Sequence, residues 1–293
     1  MLNLQKYYGY MAFKKILSLA LMAGVLLSLA SCHSGGGNDA DSPTLGSMKD
    51  SGVSTRRVLI VISSIPFPSN ILDTLNSVNA KFQADLLNPA NCLNLYSGSS
   101  AQAANLGLYG ADLAYVISYE QFDEVGIYMK VTKYLADNIG IPLAFTQDII
   151  ERCERNQNNK DSLSNIVFQS YSVIDQTLKH NQRDESEVLV LTGGWVEGVY
   201  LTLQGISSIA KESDKQKVYH ILFEQKEYAG KLLALLNSES SSSKYCNALV
   251  ATMQDIKSAF DAMPSVNSFT PENIKTLTDK VKAIRSIIVK GNS

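Results

Sequence analysis

Histidine, tryptophan and cysteine are all scarce in this chain, with three, one and four copies in 293 residues. Each scarcity removes a class of chemistry. The histidines are His33, His180 and His220. No Glu-x-x-His pair exists for a di-iron bundle, and no G-x-H-x-x-E pattern for an envelope metallo-site. His180 sits where a helix should end, and a cation there suits the helix dipole. His220 and Glu224 stand four apart, which reads as a surface contact. Beyond Cys32, the cysteines are Cys92, Cys153 and Cys246: odd in number, widely spaced and without a C-x-x-C zinc pattern. They allow at most one disulfide and read better as small buried apolar residues. There is no excess of positive charge. The formal net charge is -2, which excludes a basic nucleic-acid footprint. No G-x-S-x-G elbow, P-loop or Rossmann glycine pattern occurs, so a nucleophile would lack an evident base. The body also lacks an apolar run long enough to cross a bilayer.

The most specific feature present is the N-terminus. Lys14 and Lys15 precede an apolar run from Ile16 to Ala30, too short for a stable span and right for a signal-peptide core. The run ends in Leu29-Ala30-Ser31-Cys32, the lipobox pattern of bacterial lipoprotein signals. That pattern implies lipidation of Cys32, which becomes the first residue of the mature protein. The alternative is an ordinary secretory signal with a chance cysteine. Translation starting at Met11 rather than Met1 would still give a complete signal. Each buried methylene contributes roughly 0.8 kcal/mol, so two or three acyl chains hold a domain to a membrane almost permanently. "HSGGGNDADSPTLGSMKDSGVS" follows the cysteine. Its Gly, Ser and Asp content cannot bury enough surface to fold and reads as a tether. His33, rather than aspartate, in the second mature position leans toward the outer membrane. Asp39 and Asp41 are weak signs of surface export. The expected organisation is a signal peptide over 1–31, a lipidated tether over 32–57 and a folded domain over 58–293.

After a β-branched run from Val58 to Ile62, the domain reads as helical throughout. Ile71, Leu72, Leu75, Val78, Phe82 and Leu86 share one helical face, which Asn88-Pro89 would end. Ser99 or Ser100 opens the next helix. Another runs from about Glu120 to Asn138 and closes on Gly140 and Pro142. Thr146 can cap a short helix, and Asp161 the one after it. Asp184 with Glu187, and Ser213 with Gln216, have capping-box spacing. A polar "SESSSSK" loop precedes two more helices, the last with Thr270-Pro271 at its start and Gly291 at its stop. The expectation is an all-α domain of about nine antiparallel-packed helices, as a bundle or helical array.

"LGLYGADLAYV" (Leu106 to Val116) and "LTGGWVEGVYL" (Leu191 to Leu201) align without gaps at an offset of 85. Asp112 matches Glu197, and Tyr115 matches Tyr200. The period is too long, and the copies too few, for a solenoid. Both segments carry small residues at helical spacing: Ala103, Gly107, Ala111 and Ala114 in one, Gly194, Gly198 and Gly205 with Leu201 in the other. Glycine inside a helix costs about 1 kcal/mol relative to alanine. Close approach of another helix is the usual return. The two helices are therefore expected to cross closely at the domain centre.

"SIPFPSN", "LLNPAN", "ANLGLYGADLAY", "KYLADNIGI", "IERCERNQNNKDSL" and "GGWVEGVY" together resemble a set of lipoproteins common in the Bacteroidetes lineage. The resemblance covers most of the mature chain and implies an envelope location. It adds nothing about catalysis.

Asp112 and Glu197 lie on helices apolar nearly all round, so their carboxyls need partners or hydrogen bonds. Tyr115 and Tyr200, one turn away from each, are candidate partners. One reading is a structural buried pair that locks helix register. The other is an acidic pocket with raised pKa, acting as a general acid or binding a cation. Tyr109, Tyr115, Tyr119, Tyr128 and Tyr134 can line a glycan groove or finish a wet-rimmed core. No catalytic residue, metal ligand or cofactor is assigned, and the only partner assigned is the membrane, through the anchor. The expected role is a non-catalytic interaction or scaffolding lipoprotein on the periplasmic or cell-surface face of the outer membrane. The alternatives are a small-ligand or glycan binder with a tyrosine- and acid-lined pocket, and an enzyme using the buried carboxylates.

Overall fold

A computed structural model describes residues 69–291, except residue 242. The signal segment, Cys32, the tether and the Val58 to Ile62 run lie outside the described residues. Those described form an all-α domain with no strand among them. Its helices are α1 (Ser69–Ser77), α2 (Ser99–Ser118), α3 (Phe122–Asn138), α4 (Gln147–Arg155), α5 (Lys160–His180), α6 (Asp184–Gly205), α7 (Glu212–Glu239), α8 (Lys244–Asp261) and α9 (Pro271–Lys290).

Helices α2 and α6 are apolar on nearly every face, and both are buried along almost their whole length. A helix without a polar face must be enclosed by others. Helices α1, α5 and α9 pack on both of them, α3 on α2, and α7 on α6. Trp195 of α6 is buried and donates its Nε1–H to Gln225 of α7 at 3.0 Å. Helix α8 covers α7 and α9.

The close crossing of α2 and α6 is real, and glycine makes it possible. A Cβ on Gly107 would lie 1.9 Å from the Val190 carbonyl oxygen, and one on Gly193 would lie 1.8 Å from that of Ala104. Gly193 falls just outside the expected stripe. Gly205, which falls inside it, faces Leu75 of α1.

The two helices run parallel. At their starts Ser100 donates to Glu185 at 2.6 Å. Midway Gly107 meets Val190 and Gly194, and further on the carboxyls of Asp112 and Glu197 meet. Expected antiparallel packing does not extend to this pair. Positions 100 and 185, and 112 and 197, are each 85 apart, the offset at which the two segments align. Two copies related by a two-fold axis along the helix pair would meet in this way.

Local signals set several helix ends. Thr146 accepts from the Ile149 N–H at 3.4 Å, and Thr270 accepts from that of Asn273 at 3.2 Å, with Pro271 opening α9. Gly291 ends α9 in the left-handed region at φ 62. Elsewhere the structure corrects the reading. Helix α1 stops at Ser77, because Asn79 turns to φ 56, a region asparagine tolerates. Phe82 therefore leaves the helical face and stacks on Tyr115 with ring centres 5.2 Å apart, and Leu86 sits in a separate 3₁₀ turn. Asn159, not Asp161, caps α5, accepting from Ser162 at 2.9 Å. Asp184 and Glu187 form no capping box, since α6 already begins at Asp184, and Glu187 turns inward. Ser213 and Gln216 likewise fall inside α7, whose cap residue is Lys211.

Cys92, Cys153 and Cys246 are free thiols. Burial pushes the thiols of Cys153 and Cys246 up to about 11, which leaves them unreactive at neutral pH.

Glu187 is 2% exposed. Its nearest cation is Lys179 of α5, 3.5 Å from Oε1, which also serves Asp175 at 2.7 Å. Burial first, then a hydrogen bond to Asp175, pushes the Glu187 carboxyl up to about 8. The folded state therefore holds a proton that the unfolded chain releases near pH 4.5. A raised acid stabilises below its unfolded value, and that stability is lost as pH rises toward about 8. Glu187→Gln keeps the donor to Asp175 and removes the titration. Urea unfolding at a series of pH values should show the variant's stability falling less over this window, by on the order of 3 kcal/mol at its upper end. Equal slopes for the two proteins would refute the assignment.

Candidate functional site

Three helices deliver the charged centre of the domain. Asp112 comes from α2, Glu197 from α6 and Arg285 from α9, and both acids are 0% exposed. Arg285 grips Glu197 with two donors, Nε to Oε2 at 2.6 Å and Nη2 to Oε1 at 2.9 Å. Nη2 also donates to the Leu86 carbonyl at 3.1 Å. Asp112 accepts the Asn88 N–H on Oδ2 at 3.1 Å. A bidentate guanidinium–carboxylate fork is among the stronger charged contacts available to a protein, and the desolvated site needs it.

The site holds two carboxyls and one guanidinium. Burial first, then repulsion from Glu197, pushes Asp112 well above the usual carboxylate range. Burial also raises Glu197, but Arg285 works against that shift. The Glu197 carboxylate in turn holds Arg285 above its ordinary value, against the opposing effect of burial. The consistent state has Glu197 ionised, Arg285 charged and Asp112 neutral. In that state the centre carries no net charge.

The tyrosines do not satisfy the acids in the way the sequence suggests. The Tyr115 hydroxyl accepts the Gln83 N–H at 3.1 Å, and its ring packs on Phe82 and Tyr119. Tyr200 instead lies under Arg285, its ring centre 4.3 Å from the guanidinium carbon. Tyr109 donates to the Pro89 carbonyl at 2.7 Å, and Tyr128 donates to that of Asn88 at 3.2 Å. Asn88 donates its side-chain amide to Tyr96 at 3.0 Å. These rings pin the 86–96 segment that supplies the Leu86 carbonyl and the Asn88 N–H. Tyr109, Tyr115 and Tyr128 are core residues, Tyr119 is half-buried, and Tyr134 is exposed.

Sequence reasoning misses Arg285 altogether. Leu277, Val281, Ile284 and Ile288 form the buried stripe of α9, and Arg285 sits at its edge, one residue from Ile284. A cation beside the inward face of a helix is the one signal that marks it.

Among the described residues, no group of three or more His, Cys, Asp or Glu side chains is placed to hold a metal ion, and no helix is long and apolar enough to cross a membrane. Outside the centre, Tyr200, Lys282, Arg285, Ser286, Val289 and Lys290 line an open cleft of about 240 Å³. No family model matches the chain, and no curated protein or solved structure is significantly similar to it.

Proposed function

We propose that this chain is a membrane-anchored envelope lipoprotein that acts as a non-catalytic interaction module. The single observation that carries the non-catalytic reading is the commitment of its two central acids. Both are fully enclosed, and one is locked in a bidentate fork to Arg285. A general acid or nucleophile must reach a substrate atom within hydrogen-bond distance. Asp112 and Glu197 are instead spent on holding three helices together. The lipobox ending in Cys32 supports the anchor.

Two measurements test this. Cells fed labelled palmitate should label the wild-type protein and not Cys32→Ser, which should leave the membrane fraction; equal labelling would refute the anchor. For the interaction role, a photo-crosslinker at the exposed residues Leu143 or Phe168, in the native envelope, should trap one reproducible partner. Repeated failure to trap any partner from either position would sink that role.

A further inference from the structure

The cleft beside Arg285 is lined by three cations and no acid. Its walls are Tyr200 from α6 and five residues of α9: Lys282, Arg285, Ser286, Val289 and Lys290. The α9 residues are spaced at 282, 285, 286, 289 and 290, one face of a helix. Lys282 and Lys290 are exposed, and neither has an ion pair among the described residues. Asp279, one turn before Lys282, is engaged by Lys275 at 2.7 Å.

Arg285 connects this cleft to the buried centre. Its Nε and Nη2 are taken by Glu197 and Leu86, and among the described residues no acceptor meets Nη1. Its side chain keeps 16% of its exposure. Tyr200 covers one face of the guanidinium. The buried carboxylate thus fixes the orientation of an arginine that also lines this cleft. A preoriented guanidinium loses little freedom on binding a planar or tetrahedral oxyanion.

We infer that this cleft binds a phosphate-class oxyanion, either a small phosphate ester or the phosphate of a lipid headgroup. The Lys282 ammonium supplies the charge, while Arg285 Nη1 and the Ser286 hydroxyl can donate hydrogen bonds. Lys290 stands in the last turn of α9 and offsets the partial negative charge of the helix end. Val289, the lysine stems and the Tyr200 edge form apolar walls, which suit the carbon body of an ester better than a bare hydrated ion. The cleft is open, so binding should be weak, salt-sensitive and fast. The inference does not depend on the anchor: loss of palmitate labelling would leave it standing.

The test is an amide and aromatic NMR titration of the whole protein with glycerol phosphate, with sodium chloride at matched ionic strength as control. The expected result is a saturable shift of the Arg285, Ser286 and Lys290 amides and the Tyr200 ring, absent with chloride. Lys282→Gln lies on an exposed position, where substitutions usually leave stability within about 0.5 kcal/mol. It should weaken the apparent Kd about fivefold, the size of one exposed charge contact. Vesicles of phosphatidylcholine with and without phosphatidylglycerol separate the two sources. Shifts with glycerol phosphate assign a soluble-ester site; shifts only with the anionic vesicles assign a headgroup site. No saturable shift in either arm, the same shift with chloride, or unchanged affinity in Lys282→Gln would overturn the inference.

Discussion

Arg285→Met is expected to lower the unfolding free energy by about 3–5 kcal/mol, the usual loss when one partner of a buried ion pair is removed. The substitution keeps a long apolar side chain in place, so most of the loss is electrostatic. Glu197 would remain fully enclosed with no cation, beside an acid that is already neutral only because of its surroundings. The Leu86 carbonyl would lose its donor, and the Tyr200 ring the cation above it. Urea denaturation at pH 7 measures the loss. Glu197→Gln in the same background removes the stranded charge and should recover much of the stability, with a coupling energy of about 2 kcal/mol or more between the two sites. Additive losses would mean that the fork is incidental. Glu197→Gln alone should lower stability. If it left stability unchanged yet removed an activity of the native protein, an enzymatic role would replace the non-catalytic one.

Gly107→Ala should destabilise the domain by about 3 kcal/mol or more, at the upper end of what overpacking costs. Propensity alone predicts the opposite, because alanine is favoured over glycine in a helix by about 1 kcal/mol. The difference is the neighbour. The new methyl carbon would sit 1.9 Å from the Val190 carbonyl oxygen and 2.8 Å from the Gly194 nitrogen, and both are backbone atoms of α6 that no rotamer change can move. The helices would have to separate, opening gaps along the crossing and moving Asp112 away from Glu197. Gly193→Ala should behave alike, since its methyl would meet the Ala104 carbonyl at 1.8 Å. Gly126 of α3 is the control. It is exposed, and a methyl group added there would meet no atom within 4 Å, so Gly126→Ala should stabilise by up to about 1 kcal/mol. Equal thermal midpoints for Gly107→Ala and wild type would show that the crossing is looser than its geometry states.

Helix content, the ends at Thr146, Thr270 and Gly291, and the close approach of two small-faced helices are all legible in the sequence. Hydrophobic period, caps and glycine placement act over three to seven residues, so they are written where they operate. The pairing of Asp112 with Glu197 is legible as a question, through their equal places in two segments that align at an offset of 85. Its answer is not. Arg285 lies 88 positions beyond Glu197, and nothing local marks a distant arginine as the partner of a buried acid. The early end of α1 turns on a single asparagine entering the left-handed region, which helical periodicity does not register. Parallel rather than antiparallel running of α2 and α6 depends on where α3, α4 and α5 carry the chain between them. Which charge meets which, and which helix direction brings equivalent residues face to face, is settled only when the core closes, because burial makes an unpaired charge costly there and leaves few arrangements in which every carboxyl has a partner.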